Sequence, residues 1–215
     1  MSGLLEAASP PKARKNEQPG HSAICGVPLL IFQHMTIAEV RDKVQRIKEG
    51  FEPEVLQCMD ENANEMAVSV REQLYSGIDG NGAPLVPSYT NDPWFKNKRA
   101  GFFDEEYDMW VPCYLHPERY VAWKQHITPP EPSNRLGLPA RDIDTPNLFI
   151  VGTFHGSISA RGTARGVEIF TFGWDEGPAV ERKYGSQIFA LSEPAVAHFN
   201  DNFLWPWLRI WLETV

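Results

Sequence analysis

The sequence predicts an α+β protein on three observations. Between residues 36 and 77 apolar side chains recur at steps of three and four, the period of a helix face. After Pro146 the pattern changes to short apolar and β-branched runs broken by glycine, which reads as strands and a hairpin. A final apolar stretch opened by Ser192 returns to helical spacing and closes the chain.

Residues 1–35 are expected to form an N-terminal arm. Its first part, "MSGLLEAASPPKARKNEQPGHSA", combines Pro-Pro, small polar residues and mixed charge without periodicity. Thr36 and Glu39 then make a T-x-x-E capping box, followed by Ile37, Val40, Val44 and Ile47 up to Gly50. Pro53 suits the first turn of a second helix, whose stripe is Leu56, Met59, Ala63, Met66, Val70 and Leu74, with Gly77 as its stop. Residues 36–90 are read as the helical part of a core. From Ile78 to Pro146 regularity collapses into turn-rich and proline-studded sequence, and 91–145 reads as a loop-rich insertion that reaches over a partner. Within it Phe102, Phe103, Tyr107 and Trp110 stand among acids, and these aromatics are the expected subunit contacts.

Residues 146–215 complete the same domain as 36–90. "NLFIV" predicts one strand, "SISA" begins another, and "GVEIFTFGW" gives a longer one, with "RGTARG" as the hairpin loop. Ser192 is expected to cap the last helix, with Pro194 in its first turn and Val196, Phe199, Leu204, Leu208 and Trp211 on its buried side. Pro206 is expected to kink it.

Composition narrows the function. The chain has 215 residues, and its seven tryptophans within 12% aromatic content imply well-filled cores or interfaces. With 20 Lys and Arg against 28 Asp and Glu, the net charge of −8 argues against wrapping nucleic acid, though not against lining a channel that DNA traverses. Three cysteines, odd in number and widely spaced, make a disulfide framework a poor reading and point to a reducing compartment. The run "ICGVPLLIF" is too short to span a bilayer, and no secretory leader is read before it, so a soluble protein made in a cytoplasm is expected.

Asp79 and Asn81 start like a calcium loop, but Ala83, Pro84 and Thr90 occupy positions where that loop needs a ligand, a glycine and a glutamate. Cys113, His116 and His126 lack the second ligand pair of a closed zinc site. His155 and Ser157, with Asp175 downstream, would point the same way on a strand and could serve a small hydrolase, yet the surrounding sequence is no nucleophile elbow. Asp104, Glu105, Glu106 and Asp108 read as a solvated face or as an acidic patch for a basic neighbour. No catalytic residue, metal or cofactor is expected.

Two stretches carry a family resemblance. In "REQLYSGIDGNGAPLVPSYT" a helix passes straight into a glycine-rich turn and a Leu-x-Pro-x-Tyr segment. "PNLFIVGTFHGSISA" leads into a strand pair, then "ERKYGSQIFALSEPAVAHF" and a closing helix. This order resembles the neck or tail-completion proteins of tailed phages, in the versions found in phages and prophages of Bacteroidetes. Their T-G-x-[LF]-x-x-S motif falls on Val151, Gly152, Thr153, Phe154, His155, Gly156, Ser157 and Ile158, and their second element on Tyr184 and Gly185. Val151 replaces the usual threonine, and the insertion has no counterpart; the resemblance covers about residues 54–90 and 146–215. It implies a long helix on a small antiparallel sheet with a closing helix, and a non-enzymatic virion protein assembled in the host cytoplasm. The implied partners are further copies in a homo-oligomeric ring, a portal, adaptor or head-completion protein, a tail tube or tail terminator protein, and DNA passing through the lumen. The alternatives are the hydrolase at His155 and Ser157, or a prophage-encoded binding module. Gly152 and Gly156 are expected to turn the chain at the entrance to the sheet, with Phe154 as its anchor.

Overall fold

The computed structural model describes residues 35–105 and 108–215, so the arm as far as residue 34, and Glu106 and Tyr107, lie outside the described residues. Contacts divide the chain into two units, 1–43 and 44–215. In the first, the capping box forms as expected: the Thr36 amide donates to Glu39 Oε2 at 2.6 Å, and the Glu39 amide donates to Thr36 Oγ1 at 3.3 Å.

The second unit is α+β. Helix α1 (Ile37–Glu61) does not stop at Gly50, and Pro53 lies inside it rather than opening a new helix. An interior proline costs about 3 kcal/mol. Packing on both sides of it offsets that cost: Phe51 meets the Trp211 ring at 6.5 Å, and Trp207 Nε1 donates to Glu54 at 3.0 Å. The break falls instead at Asn62, whose side-chain amide donates to the Cys58 carbonyl at 2.8 Å. Helix α2 (Ala63–Tyr75) then carries the rest of the stripe, with Met66, Val70 and Leu74 buried.

Between α2 and the C-terminal half the chain is more ordered than its sequence suggests. Strands β1 (Gly101–Asp104) and β2 (Met109–Pro112) form an antiparallel hairpin, and helix α3 (Pro117–Ile127) follows. Together they close an aromatic core of Tyr89, Phe95, Phe102, Val111, Cys113 and Tyr120. The stretch 91–145 is thus not merely loops: its aromatic residues, too scattered to show a period, find one another across the hairpin and helix.

"NLFIV" is not a strand. Leu148 has a φ of +53°, and Ile150 and Val151 are exposed. A short helical turn, α4 (Thr153–Ser157), intervenes before the hairpin of β3 (Ile158–Thr163) and β4 (Gly166–Thr171). Its register runs from Ile158 opposite Thr171 to Thr163 opposite Gly166. Ala67, Val70 and Leu74 of α2 share one core with Ile158 of this hairpin, Phe154 of α4 and Ile188 further along the chain.

Helix α5 (Gly177–Tyr184) and a 3-10 turn (Ser186–Phe189) lead to α6 (Glu193–Phe199). Ser192 precedes α6 but makes no side-chain cap; its amide donates to Gln73 Oε1 at 3.0 Å instead. A π-helical turn (Asn200–Leu204) joins α6 to α7 (Trp205–Thr214), and Pro206 lies in the first turn of α7. The wide turn takes up the backbone bond that Pro206 cannot make, so the irregularity comes before the proline. Phe199 and Leu208 are buried, whereas Val196 is exposed and off the expected face.

Gln73 fastens this closing segment to α2. Fully buried, it also donates through Nε2 to the Ala190 carbonyl at 2.6 Å. Gln73→Leu keeps the volume but orphans that carbonyl and the Ser192 amide. Its expected cost is about 2 kcal/mol in urea unfolding.

Candidate functional site

The motif residues lie where three segments meet. Gly152, at φ +83°, turns the chain into α4, and an added Cβ would come within 3.1 Å of the Phe149 ring. Gly156 has no such role: it sits inside the helical turn, with open space where a Cβ would point. Thr153 is exposed. Phe154 is buried among Trp174, whose ring centre lies 5.5 Å away, and Phe189. Tyr184 ends α5 and packs into the same cluster, so the structure brings the two motif segments together. Gly185, at φ +87°, passes the chain into the 3-10 turn.

His155 and Ser157 do not address one another. Because they lie in a helical turn and not on a strand, the i, i+2 spacing separates them. His155 Nε2 donates to the Asn147 carbonyl at 2.8 Å, which sets the tautomer, and the Ser157 hydroxyl donates to the Phe154 carbonyl at 2.7 Å. Burial pushes the His155 imidazole down to about 4. Asp175 is exposed in the turn before α5.

The expected interface aromatics divide. Phe102 is not available for a surface contact: β-strand alternation turns it into the core, where it stacks on Trp123 at 5.0 Å. Phe103 and Trp110 are about half exposed and stand directly opposite each other on the hairpin. Tyr107 lies outside the described residues. The indole of Trp110 lies over Gly101, where a Cβ would come within 2.5 Å of it. Beside the hairpin runs a groove of about 840 Å³ lined by Phe103, Trp123, Ile127, Ile150 and Val151. A second apolar surface is offered by α7, with Trp205 and Ile210 exposed.

The other candidates resolve locally. Asp79 Oδ1 accepts from the Asn81 and Ala83 amides at 2.8 and 3.0 Å, which makes it the closure of a turn. Cys113 is buried and its thiol pushed up to about 11 by desolvation, while His116 is exposed beside Glu118. Asp104 pairs with Arg119 at 3.4 Å. Among the described residues no three His, Cys, Asp or Glu side chains converge in a way that could hold a metal ion, and no helix is long and apolar enough to cross a membrane.

Sequence reasoning missed a buried polar node. Asn147 Oδ1 accepts from the Tyr89 hydroxyl at 3.1 Å and from the Phe149 amide at 3.2 Å, while the Asn147 backbone N–H donates to the Tyr89 hydroxyl at 3.2 Å. Lys124 donates to the Phe149 carbonyl, and burial, with Arg141 nearby, brings its amine down to about 7. Arg141 donates to the Thr128 carbonyl at 2.6 Å and to that of Thr145 at 3.1 Å. One signal was there to be read. Tyr120, Val121, Lys124 and Thr128 share a helical face, so a lysine falls in line with buried residues.

The chain matches no protein-family model, no curated protein and no solved structure.

Two outcomes follow for the motif. Gly152→Ala is expected to destabilise by about 1–2 kcal/mol through the left-handed φ alone, whereas Gly156→Ala is expected to be neutral or stabilising by up to about 1 kcal/mol. Thermal unfolding of the two variants checks the difference. For His155, the depressed pKa makes its contribution to stability full above about 6.5 and lost as pH falls towards 4. His155→Gln keeps a donor for the Asn147 carbonyl without a titrating group, and is expected to flatten the acid limb of the stability curve.

Proposed function

We propose that this chain is a structural protein of a tailed-phage virion. It builds a homo-oligomeric ring in the neck, between the portal or head-completion assembly and the tail tube or terminator, and lines the passage for DNA. The observation that carries the reading is the pair Phe103 and Trp110. They are held out to solvent from a hairpin whose other face is a packed aromatic core. Large apolar side chains on a fixed mount favour burial against another protein surface. The net charge of −8 suits a lumen that lets DNA slide without gripping it. The meeting of Phe154 and Tyr184 in one core supports the family resemblance, since it gives both motif segments a common packing task.

The hydrolase alternative draws no support from His155 and Ser157, because each is engaged with a backbone carbonyl. Groups so placed stabilise the turn.

Assembly is read by mass photometry and negative-stain microscopy of the purified full-length chain. Rings are expected for the wild type. The double variant Phe103→Ser, Trp110→Ser is expected to remain monomeric with unchanged far-UV circular dichroism. A wild-type chain that stays monomeric both alone and with portal and tail-tube proteins would overturn the reading.

A further inference from the structure

Between the aromatic core around Tyr120 and the hairpin core around Phe154 lies a second cavity, of about 460 Å³. That volume is in the range of small-molecule sites. Its walls are largely rings, among them Tyr89, Tyr120, Phe154, Trp174 and Tyr184. Lys124, itself almost wholly buried, also lines it.

The polar groups of this cavity are mostly donors. Lys124 spends one N–H on the Phe149 carbonyl, has its amine 5.9 Å from the centre of the Tyr89 ring, and forms no ion pair with a carboxylate among the described residues. The hydroxyls of Tyr120, nine-tenths buried, and of Tyr184 have no hydrogen-bond partner among the described residues. Of the acids on the lining, Asp92 is already taken by Lys183 and the Trp94 amide, and Glu176 is exposed. A buried amine with N–H groups beyond the one given to Phe149, and two phenols that donate to no described residue, set among aromatic faces, suit a flat ring bearing an anionic acceptor.

We propose that this cavity binds a small planar aromatic carboxylate, its ring packed against the Tyr120, Trp174 and Tyr184 rings and its carboxylate taken by Lys124 Nζ with the Tyr120 and Tyr184 hydroxyls. Offset and edge-to-face ring contacts hold such a ligand by its plane, and charge-assisted hydrogen bonds fix its direction. The site is independent of the assembly reading.

The electrostatics give the pH dependence a sign. Without ligand, desolvation and the charge of Arg141 hold the Lys124 amine at about 7, so it is largely neutral above that pH. A carboxylate beside it favours the ammonium form, so binding takes up a proton and weakens as pH rises above about 7. The other titratable groups facing Lys124 across these elements are Tyr89, Asp92, Tyr120, His155, Glu176, Lys183 and Tyr184. A lysine variant therefore separates its part from theirs.

The probe is 2-naphthoate, titrated into the full-length protein by calorimetry at about pH 6 and about pH 8.5, with 2-naphthylmethanol as the neutral analogue. One saturable site is expected for naphthoate, tighter at the lower pH, with quenching of tryptophan fluorescence. Lys124→Met is expected to weaken it by about tenfold or more and to abolish the pH dependence. Tyr184→Phe, a milder change that keeps the ring, is expected to weaken it by a few-fold. The proposal fails if naphthoate shows no saturable binding, if both variants bind as the wild type does, or if the neutral alcohol binds as tightly as naphthoate at both pH values.

Discussion

Asn147 is the residue on which the arrangement of the second unit depends. It is fully buried in a stretch with no sheet or helix to satisfy its backbone, so every polar group there must find a side chain. Tyr89 supplies a hydroxyl that both donates to and accepts from it, His155 donates to its carbonyl, and its Oδ1 takes the Phe149 amide. These bonds tie the segment after α2, the irregular stretch before α4, and α4 itself to one point. Its Nδ2 finds no partner among the described residues.

Lys124 and Arg141 extend the same solution outward. Lys124 ties α3 to Phe149, and Arg141 spans the carbonyls of Thr128 and Thr145. The consequence is a proline-rich middle of the chain that behaves as scaffold. It holds the β1–β2 hairpin with its exposed Phe103 and Trp110, and it helps to wall the ring-lined cavity. In the proposed ring such a mount lowers the cost of association, because less order has to be imposed on binding.

What could be read in the sequence was what depends on local period and turn chemistry. The Thr36–Glu39 capping box, the stripe from Met66 to Leu74, and the β3–β4 hairpin with its "RGTARG" loop are all of this kind. The errors came where distant residues decide. Pro53 stays helical because α7 packs beside it, and "NLFIV" is pulled out of the extended state by Asn147 and Lys124. The core of Tyr89, Phe102 and Tyr120 joins residues that no single window contains. Of the motif, Gly152 and Phe154 were legible as turn and anchor. The relation of His155 to Ser157 was not, because it hinged on whether a strand or a helical turn held them.

The irregular segment around Asn147 is held as firmly as a helix. Native-state hydrogen exchange on the amides of Tyr89, Asn147 and Phe149, set against Val70 and Leu74 of α2, tests that directly. The result expected is exchange of both groups only through global unfolding, with equal protection. Exchange of the Asn147 and Phe149 amides at the rate of exposed loop positions such as Gly137 would contradict it.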